Sequence, residues 1–88
     1  MTAKVEIYTS TFCGYCYRAK KLLGEKGVEF VEYDTMTDSS WRDQMVARAG
    51  GRTTVPQIFI DGVHVGGCDE LHALDAAGKL DPMLAGRG

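Results

Sequence analysis

The chain has 88 residues, of which 44% are hydrophobic and 25% are charged, and its formal net charge is -2. This length and composition predict one globular domain over residues 1–88, because the chain is too short for two separate cores. The slightly negative charge argues against a nucleic-acid partner, which would favour a basic surface. No apolar run approaches the roughly 20 residues of a membrane span and the start lacks a signal-peptide pattern, so a cytoplasmic protein is expected.

The first half of the chain predicts two strands with a helix between them. Val5 and Ile7 alternate with polar neighbours in the segment KVEIYT, which is typical of a strand. Apolar residues recur at helical spacing from Cys13 onward, and Gly27 is expected to end that helix in a left-handed conformation. The segment VEFVEYD predicts a second strand, which should be parallel to the first because a helix separates them.

A second helix and a hairpin are predicted next. Ser39 or Ser40 would supply the N-cap of this helix, and the two glycines at 50–51 would end it. The segment TVPQIFIDGVHVGG then predicts two short strands joined by Asp61-Gly62, a dipeptide suited to a tight two-residue turn. These strands are therefore expected to pair as an antiparallel hairpin.

The last predicted element is a helix with Asp69 as its N-cap and Gly78 beyond its end. The predicted order of elements is then β-α-β-α-β-β-α. This order folds naturally as a four-stranded mixed sheet flanked by three helices, which is the thioredoxin-like arrangement of the α/β class.

Two cysteines lie one turn apart where the first helix begins, in the motif CGYC. Unpaired backbone N–H groups and the positive end of the helix dipole favour an anion there, and so favour the thiolate of Cys13. Arg18, Lys20 and Lys21 add positive charge within two turns. Cys16, one turn into the helix, is expected to be more buried and less reactive. The predicted pair is therefore asymmetric: Cys13 attacks and Cys16 resolves.

The same cysteine spacing also occurs in zinc sites and in structural disulfides. A closed zinc site needs about four ligands, and beyond the CxxC pair the chain offers Cys68 and either His64 or His72, with no second closely spaced pair. A disulfide scaffold is not expected of three cysteines in a reducing compartment. The strand–helix–strand context favours redox chemistry, so no metal site is predicted from the spacing.

Three segments, CGYC, TVPQIFI and GGCDEL, resemble the glutaredoxin family in their order and spacing, and specifically its bacterial class I dithiol members. The resemblance extends from about Lys4 to Pro82. It implies a glutathione-dependent thiol–disulfide oxidoreductase that reduces protein disulfides and glutathione mixed disulfides. Its implied partners are glutathione and disulfide-bonded or glutathionylated proteins, and its implied state is a monomer.

The resemblance also implies roles for individual residues. Cys13 would take up the glutathionyl group and Cys16 would close the intramolecular disulfide. The family holds the proline after Val55 in cis, and the Val55 backbone would pair with the tripeptide as an added strand does. Asp69 would accept a hydrogen bond from the α-amino group of glutathione. The residues implied to bind glutathione are Cys13, Tyr15, Thr54, Val55, Pro56, Gly67, Cys68 and Asp69.

Two positions depart from the usual pattern of the family. Gly14 stands where the consensus has proline, and in the family small residues there are associated with a [2Fe–2S] cluster shared by two subunits and completed by glutathione. The alternative function is therefore a cluster-bridged dimer in which Cys13 is a ligand. Ser10 stands where the family usually has a lysine near the glycine carboxylate of glutathione, and Arg52 is the candidate substitute.

Overall fold

A computed structural model of the chain describes residues 3–86, so the first two and last two residues of the predicted domain lie outside the described part. None of its helices is long and apolar enough within this range to cross a membrane. The elements in chain order are β1 (Val5–Thr9), α1 (Gly14–Glu25), β2 (Val31–Asp34), α2 (Ser39–Arg48), β3 (Gln57–Ile60), β4 (Val63–Gly66), α3 (Cys68–Ala76) and α4 (Leu80–Ala85).

The four strands form one mixed sheet in the order β2-β1-β3-β4. β1 and β2 are parallel, as the helix between them requires, whereas β1 pairs with β3 and β3 with β4 in antiparallel fashion. At the turn between β3 and β4, Asp61 and Gly62 both have positive φ, 51° and 78°, which is the requirement of a two-residue hairpin turn. The predicted mixed sheet and hairpin are confirmed.

The two central strands are buried on both faces. Every residue of β1 and β3 is buried, although β1 alternates apolar and polar residues in sequence. On one face, Ile7 and Ile58 belong to a core that includes residues of α1, α3 and α4. On the other face, Tyr8 and Phe59 pack with Met45 of α2. The helices therefore cover both faces of the sheet, so a binding site has to be formed by the loops at the ends of the strands.

Two elements differ from the predictions. The helix α4 is additional to the three predicted; it is one and a half turns long, and buried Leu80 and Leu84 hold it on the core. Pro82 lies in its first turn, where the missing N–H is tolerated. β2 begins at Val31 and not at Val28, because the segment before it packs against the core outside the sheet.

The N-caps of two helices also differ from the predictions. The N-cap of α2 is Asp38, whose carboxylate accepts hydrogen bonds from the backbone N–H and the hydroxyl of Ser40 at 2.9 and 2.7 Å. α3 begins two residues earlier than predicted, with Gly67 as its N-cap in place of Asp69, so that Asp69 lies in the first turn. The Asp69 carboxylate is therefore not used as a cap, which leaves it at the surface.

An ion pair between buried Glu6 and partly exposed Arg48 attaches α2 to the sheet. Glu6 of β1 is only 6% exposed, and the Arg48 guanidinium donates hydrogen bonds to its two carboxylate oxygens at 3.0 and 3.1 Å. Tyr33 donates a third hydrogen bond to Glu6 at 2.8 Å. Arg48 also lies over the Phe59 ring, 4.1 Å from its centroid. The hydrogen bond from Arg48 is the main reason that the pKa of Glu6 lies below its usual range.

Candidate functional site

Cys13 is the N-cap of α1, at the end of the loop that leaves β1. Its backbone is extended, with φ -104° and ψ 109°, and its Sγ accepts a hydrogen bond from the backbone N–H of Cys16 at 3.2 Å. This N–H and the other unpaired N–H groups of the first turn favour negative charge on the sulfur. The side chain is half-buried, so a small molecule can reach it.

Cys16 lies one turn deeper and is only 2% exposed. Burial raises the pKa of the Cys16 thiol to about 12, and its interaction with Cys13 acts in the same direction. All three cysteines of the chain are free thiols. The two cysteines of the motif therefore differ in exposure in the way that an attacking and a resolving thiol require.

The loop before β3 lies against Cys13. Its Val55-Pro56 peptide bond is cis, as the resemblance implies, and the Val55 carbonyl oxygen is 3.9 Å from Cys13 Sγ. The side-chain amide of buried Gln57 donates to the carbonyl and the hydroxyl oxygens of Thr54 at 2.9 and 3.2 Å. Gln57 thus anchors this loop, a role that the sequence pattern did not indicate because the residue falls within an apparent strand.

A groove of about 140 Å³ runs from this loop to the start of α3. Every residue predicted to bind glutathione lines it except Cys13, which lies beside it through the contact with Val55. The groove also includes Arg52 and Glu70. Its lining consists of Tyr15, Arg52, Thr54, Val55, Pro56, Gly67, Cys68, Asp69 and Glu70.

An ion pair forms one wall of the groove. Arg52 Nη1 is 2.7 Å from Glu70 Oε1, and this hydrogen bond is the main reason that the pKa of Glu70 is lowered. Gly67 lies between this pair and the loop, where a Cβ would be 3.3 Å from the Pro56 carbonyl oxygen. The absent side chain keeps the groove open at that point. The groove therefore combines a guanidinium, the N–H groups that begin α3, and the exposed carboxylate of Asp69.

Cys68 lies beside His72, whereas His64 lies elsewhere, against Phe59 and Gln57. Cys68 is buried, burial raises its pKa, and its Sγ is 3.4 Å from His72 Nδ1. His64 stacks on Phe59 and its Nε2 is 2.6 Å from the Gln57 side-chain oxygen. Within residues 3–86, no group of three or more His, Cys, Asp or Glu side chains could hold a metal ion. Within the described residues, the cysteines and histidines considered as zinc ligands therefore come together only in pairs, Cys13 with Cys16 and Cys68 with His72.

Exposed aromatic side chains surround the reactive sulfur. Phe12 precedes Cys13 with φ 63°, a left-handed conformation that is uncommon for a large residue, and its side chain is fully exposed. Tyr15 and Tyr17 are exposed on the first turn of α1. No pattern in the sequence indicates the exposure of Phe12, because it follows from the conformation of the loop.

Comparison with known proteins finds similarity over nearly the whole chain. Residues 5–65 match the family model described as Glutaredoxin. A glutaredoxin 3 of Escherichia coli K12 is 58% identical over 82 residues, covering 93% of this chain and 98% of that protein. A glutaredoxin of Pseudomonas aeruginosa is 54% identical over 81 residues, covering 92% of this chain and 95% of that protein.

Solved structures of the same kind are similar in fold. The solution structure of a glutaredoxin from Brucella melitensis has a TM-score of 0.82 and 52% identity, covering 96% of this chain and 90% of that chain. The crystal structure of a buckwheat glutaredoxin–glutathione complex has a TM-score of 0.85 and 34% identity, covering 93% of this chain and 76% of that chain. The thioredoxin-like arrangement predicted from the element order is thereby confirmed.

Proposed function

The chain belongs to the glutaredoxin family of thiol–disulfide oxidoreductases, and from that premise we propose that it uses glutathione as reductant and Cys13 and Cys16 as its dithiol. One observation carries this proposal. The Cys13 sulfur, which accepts the Cys16 N–H at 3.2 Å, lies against the Val55 carbonyl at the edge of a groove large enough for part of a tripeptide.

In the first proposed cycle only Cys13 reacts. Its thiolate attacks the glutathione sulfur of a protein–glutathione mixed disulfide, and the protein sulfur leaves with the electron pair of the broken bond. A second glutathione thiolate then attacks the glutathione sulfur held on Cys13. Glutathione disulfide forms and the Cys13 thiolate is released. A sulfur whose anion is stabilised at a helix start is a good leaving group in this last step.

In the second proposed cycle both cysteines react. Cys13 attacks a protein disulfide and forms a mixed disulfide with the client. Cys16 then attacks the Cys13 sulfur, the client leaves as a thiolate, and the Cys13–Cys16 disulfide is reduced by two glutathione molecules. Cys16 needs to reach only Cys13, so its burial does not prevent this role.

The chemistry of the groove suits the two ends of glutathione. The Val55 backbone can pair with the extended tripeptide, and the N–H groups that begin α3 can receive a carboxylate. Asp69 can accept from the α-ammonium group, and Arg52 can pair with the glycine carboxylate. The buckwheat glutaredoxin–glutathione complex, whose fold this chain shares, supports this assignment.

Replacing Arg52 by glutamine is expected to raise the KM for a glutathionylated peptide about three- to tenfold and to change kcat little, because binding is lost equally in ground and transition states. The pair with Glu70 is solvent-exposed, so thermal stability should change little. Steady-state kinetics tests this expectation. Arg42→Gln, on the exposed surface of α2, is the matched control. An unchanged KM for Arg52→Gln would remove Arg52 from the binding site.

The glutathione requirement can be tested directly. Reduction of β-hydroxyethyl disulfide or a glutathionylated peptide should proceed with NADPH, glutathione and glutathione reductase as the only other components. Isothermal calorimetry should show uptake of glutathione in at least one redox form. Turnover that depends instead on thioredoxin reductase would identify a thioredoxin-like electron donor.

We further propose that the protein is a monomer that acts in a reducing cytoplasm, and that its substrates are disulfide-bonded or glutathionylated proteins.

The alternative is a [2Fe–2S] cluster shared by two chains. Gly14 favours it, since a Cβ at this position would meet nothing within 4 Å and the space beside Cys13 is open. The ligands would have to be Cys13 of each chain and two glutathione thiolates, because residues 3–86 of one chain contain no cluster of potential metal ligands. Anaerobic purification followed by absorption spectroscopy and size-exclusion chromatography distinguishes a coloured dimer from a colourless monomer.

A further inference from the structure

A second cavity, of about 490 Å³, adjoins the dithiol on the side away from the glutathione groove. Its walls come from the loop before α1, from α1 and from β2. In the sheet, β2 lies on one side of β1, whereas β3 and β4, next to the groove, lie on the other. Cys16 lines this cavity but not the groove. The resolving thiol is therefore approached from the β2 side.

An anchored lysine stands in this cavity. Lys20 follows Cys16 by one helical turn, so the two side chains share a face of α1. Lys20 Nζ is 3.0 Å from Glu32 Oε2, and the same oxygen accepts a hydrogen bond from the buried Thr9 hydroxyl at 2.7 Å. The Lys20 side chain is 34% exposed. The ammonium group thus lies beside the cavity while the side chain stays partly exposed to solvent.

The charged groups around Cys16 act in both directions. Burial and the neighbouring Cys13 raise the Cys16 pKa, whereas the backbone hydrogen bond from Ser10 and, to a smaller extent, the charge of Lys20 lower it. Asp34 also lines the cavity, where its carboxylate accepts hydrogen bonds from the Thr11 hydroxyl and the Met36 N–H. Lys20 is the cation that both lines the cavity and belongs to the same helix face as the thiol.

We propose that Lys20 is a positioning residue for the resolving step and that its charge stabilises the Cys16 thiolate as it forms. That thiolate attacks the Cys13 sulfur of the mixed disulfide, and the Cys13–Cys16 bond forms as the bond from Cys13 to the client sulfur breaks. The client sulfur leaves with the electron pair and takes a proton from water. The proton lost by Cys16 passes to water in the cavity. This role rests on the proposed two-thiol cycle.

The test follows both thiols in one stopped-flow trace. When the reduced protein meets an equimolar aromatic disulfide of the thionitrobenzoate type, attack by Cys13 releases one coloured thiolate and closure by Cys16 releases the second. Because the Lys20 charge lowers the Cys16 pKa, its removal reduces the Cys16 thiolate population, and the more basic sulfur regains only part of that loss in nucleophilicity. Lys20→Met should therefore slow the second phase about threefold or more.

The control is Lys21→Met, which removes the same charge from an exposed neighbour outside the cavity and should leave the second phase unchanged. Lys20→Arg keeps the charge and should restore the rate to within about twofold. Glu32→Gln breaks the same ion pair but leaves the Lys20 charge, so closure should not be slower. A purely structural pair would instead slow closure in both Lys20→Met and Glu32→Gln, which would overturn the inference.

A further measurement follows the reaction of Cys13 in a variant that lacks the resolving thiol. In a Cys16→Ser background, Lys20→Met should leave deglutathionylation by Cys13 unchanged within about twofold. Equal slowing of both stopped-flow phases, or identical behaviour of Lys20→Met and Lys21→Met, would overturn the role of Lys20 while the two-thiol cycle stands. Absence of a second phase in the unsubstituted protein would overturn the two-thiol cycle itself, and the role of Lys20 with it.

Discussion

Replacing Cys13 by serine is expected to reduce both deglutathionylation and protein disulfide reduction to background, a loss of about a thousandfold or more. The loss is large because both cycles begin with a covalent step at this sulfur, and a hydroxyl without an activating base is a poor nucleophile. The fold should persist, since serine is a good N-cap and can still accept the Cys16 N–H at the start of α1. The glutathione-coupled assay measures the loss, and circular dichroism checks the fold.

Cys16→Ser is the matched comparison. It should retain deglutathionylation within about twofold, because that cycle needs only Cys13, and it should lose the reduction of protein disulfides. It should also trap a mixed disulfide with a client protein, detectable by mass spectrometry, since the resolving thiolate is absent. Equal loss of deglutathionylation in the two serine variants would contradict the assigned roles.

The second large effect concerns stability. Arg48→Met is expected to lower the free energy of unfolding by about 3 kcal/mol at pH 7, because it leaves the buried Glu6 carboxylate without its guanidinium partner. Methionine retains part of the packing over Phe59, so the loss is mainly electrostatic. Urea denaturation measures this change in the free energy of unfolding. Arg42→Met, on the exposed surface of the same helix, should change stability by less than about 0.5 kcal/mol.

The pH dependence of this effect has a definite sign. The pKa of Glu6 is lowered in the folded protein, so its ion pair contributes stability above the pKa of the unfolded state and loses it as the pH falls through the folded-state value. Without Arg48, burial favours the neutral acid. The stability difference between the protein and Arg48→Met should therefore shrink from pH 7 towards about pH 3 to 4. A difference that does not change with pH would show that packing, and not charge, links α2 to the sheet.

A double variant separates the ion pair from the packing. Adding Glu6→Gln to Arg48→Met removes the unpaired charge, so it should recover part of the lost stability. Tyr33 can still donate its hydrogen bond to the side-chain oxygen of glutamine. No recovery would mean that the Glu6 charge is not the source of the loss.

Several features of the fold could be predicted because they depend on residues adjacent in the chain. The turn at Asp61-Gly62 follows from the positive φ that these residues tolerate. The end of α1 follows in the same way from Gly27, whose φ is 71°. The parallel pairing of the first two strands follows from the helix between them. The N-cap of α2 was predicted wrongly because three adjacent residues are all good caps. Asp38 precedes Ser39 and Ser40, and in the structure Asp38 is the N-cap.

Other features depend on contacts between distant parts of the chain. The helix α4 is too short to form by its own preference, and it persists because Leu80 and Leu84 reach the core. All of β1, including Glu6, is likewise buried because helices cover both faces of the sheet. The alternation of apolar and polar residues along this five-residue strand does not indicate that second covering layer.

The amino-acid sequence was enough to predict the order of the first seven elements and the dithiol at the start of a helix. It also contained the residues that resemble a glutathione site. The folded structure was needed to show that Arg52 pairs with Glu70 beside that groove. It was also needed to show that Cys16 lines a separate cavity together with Lys20 and Glu32. The reason is physical. Local patterns determine backbone conformation over a few residues, whereas the direction and burial of a side chain are set by the strand pairing and helix packing of segments far apart in the chain.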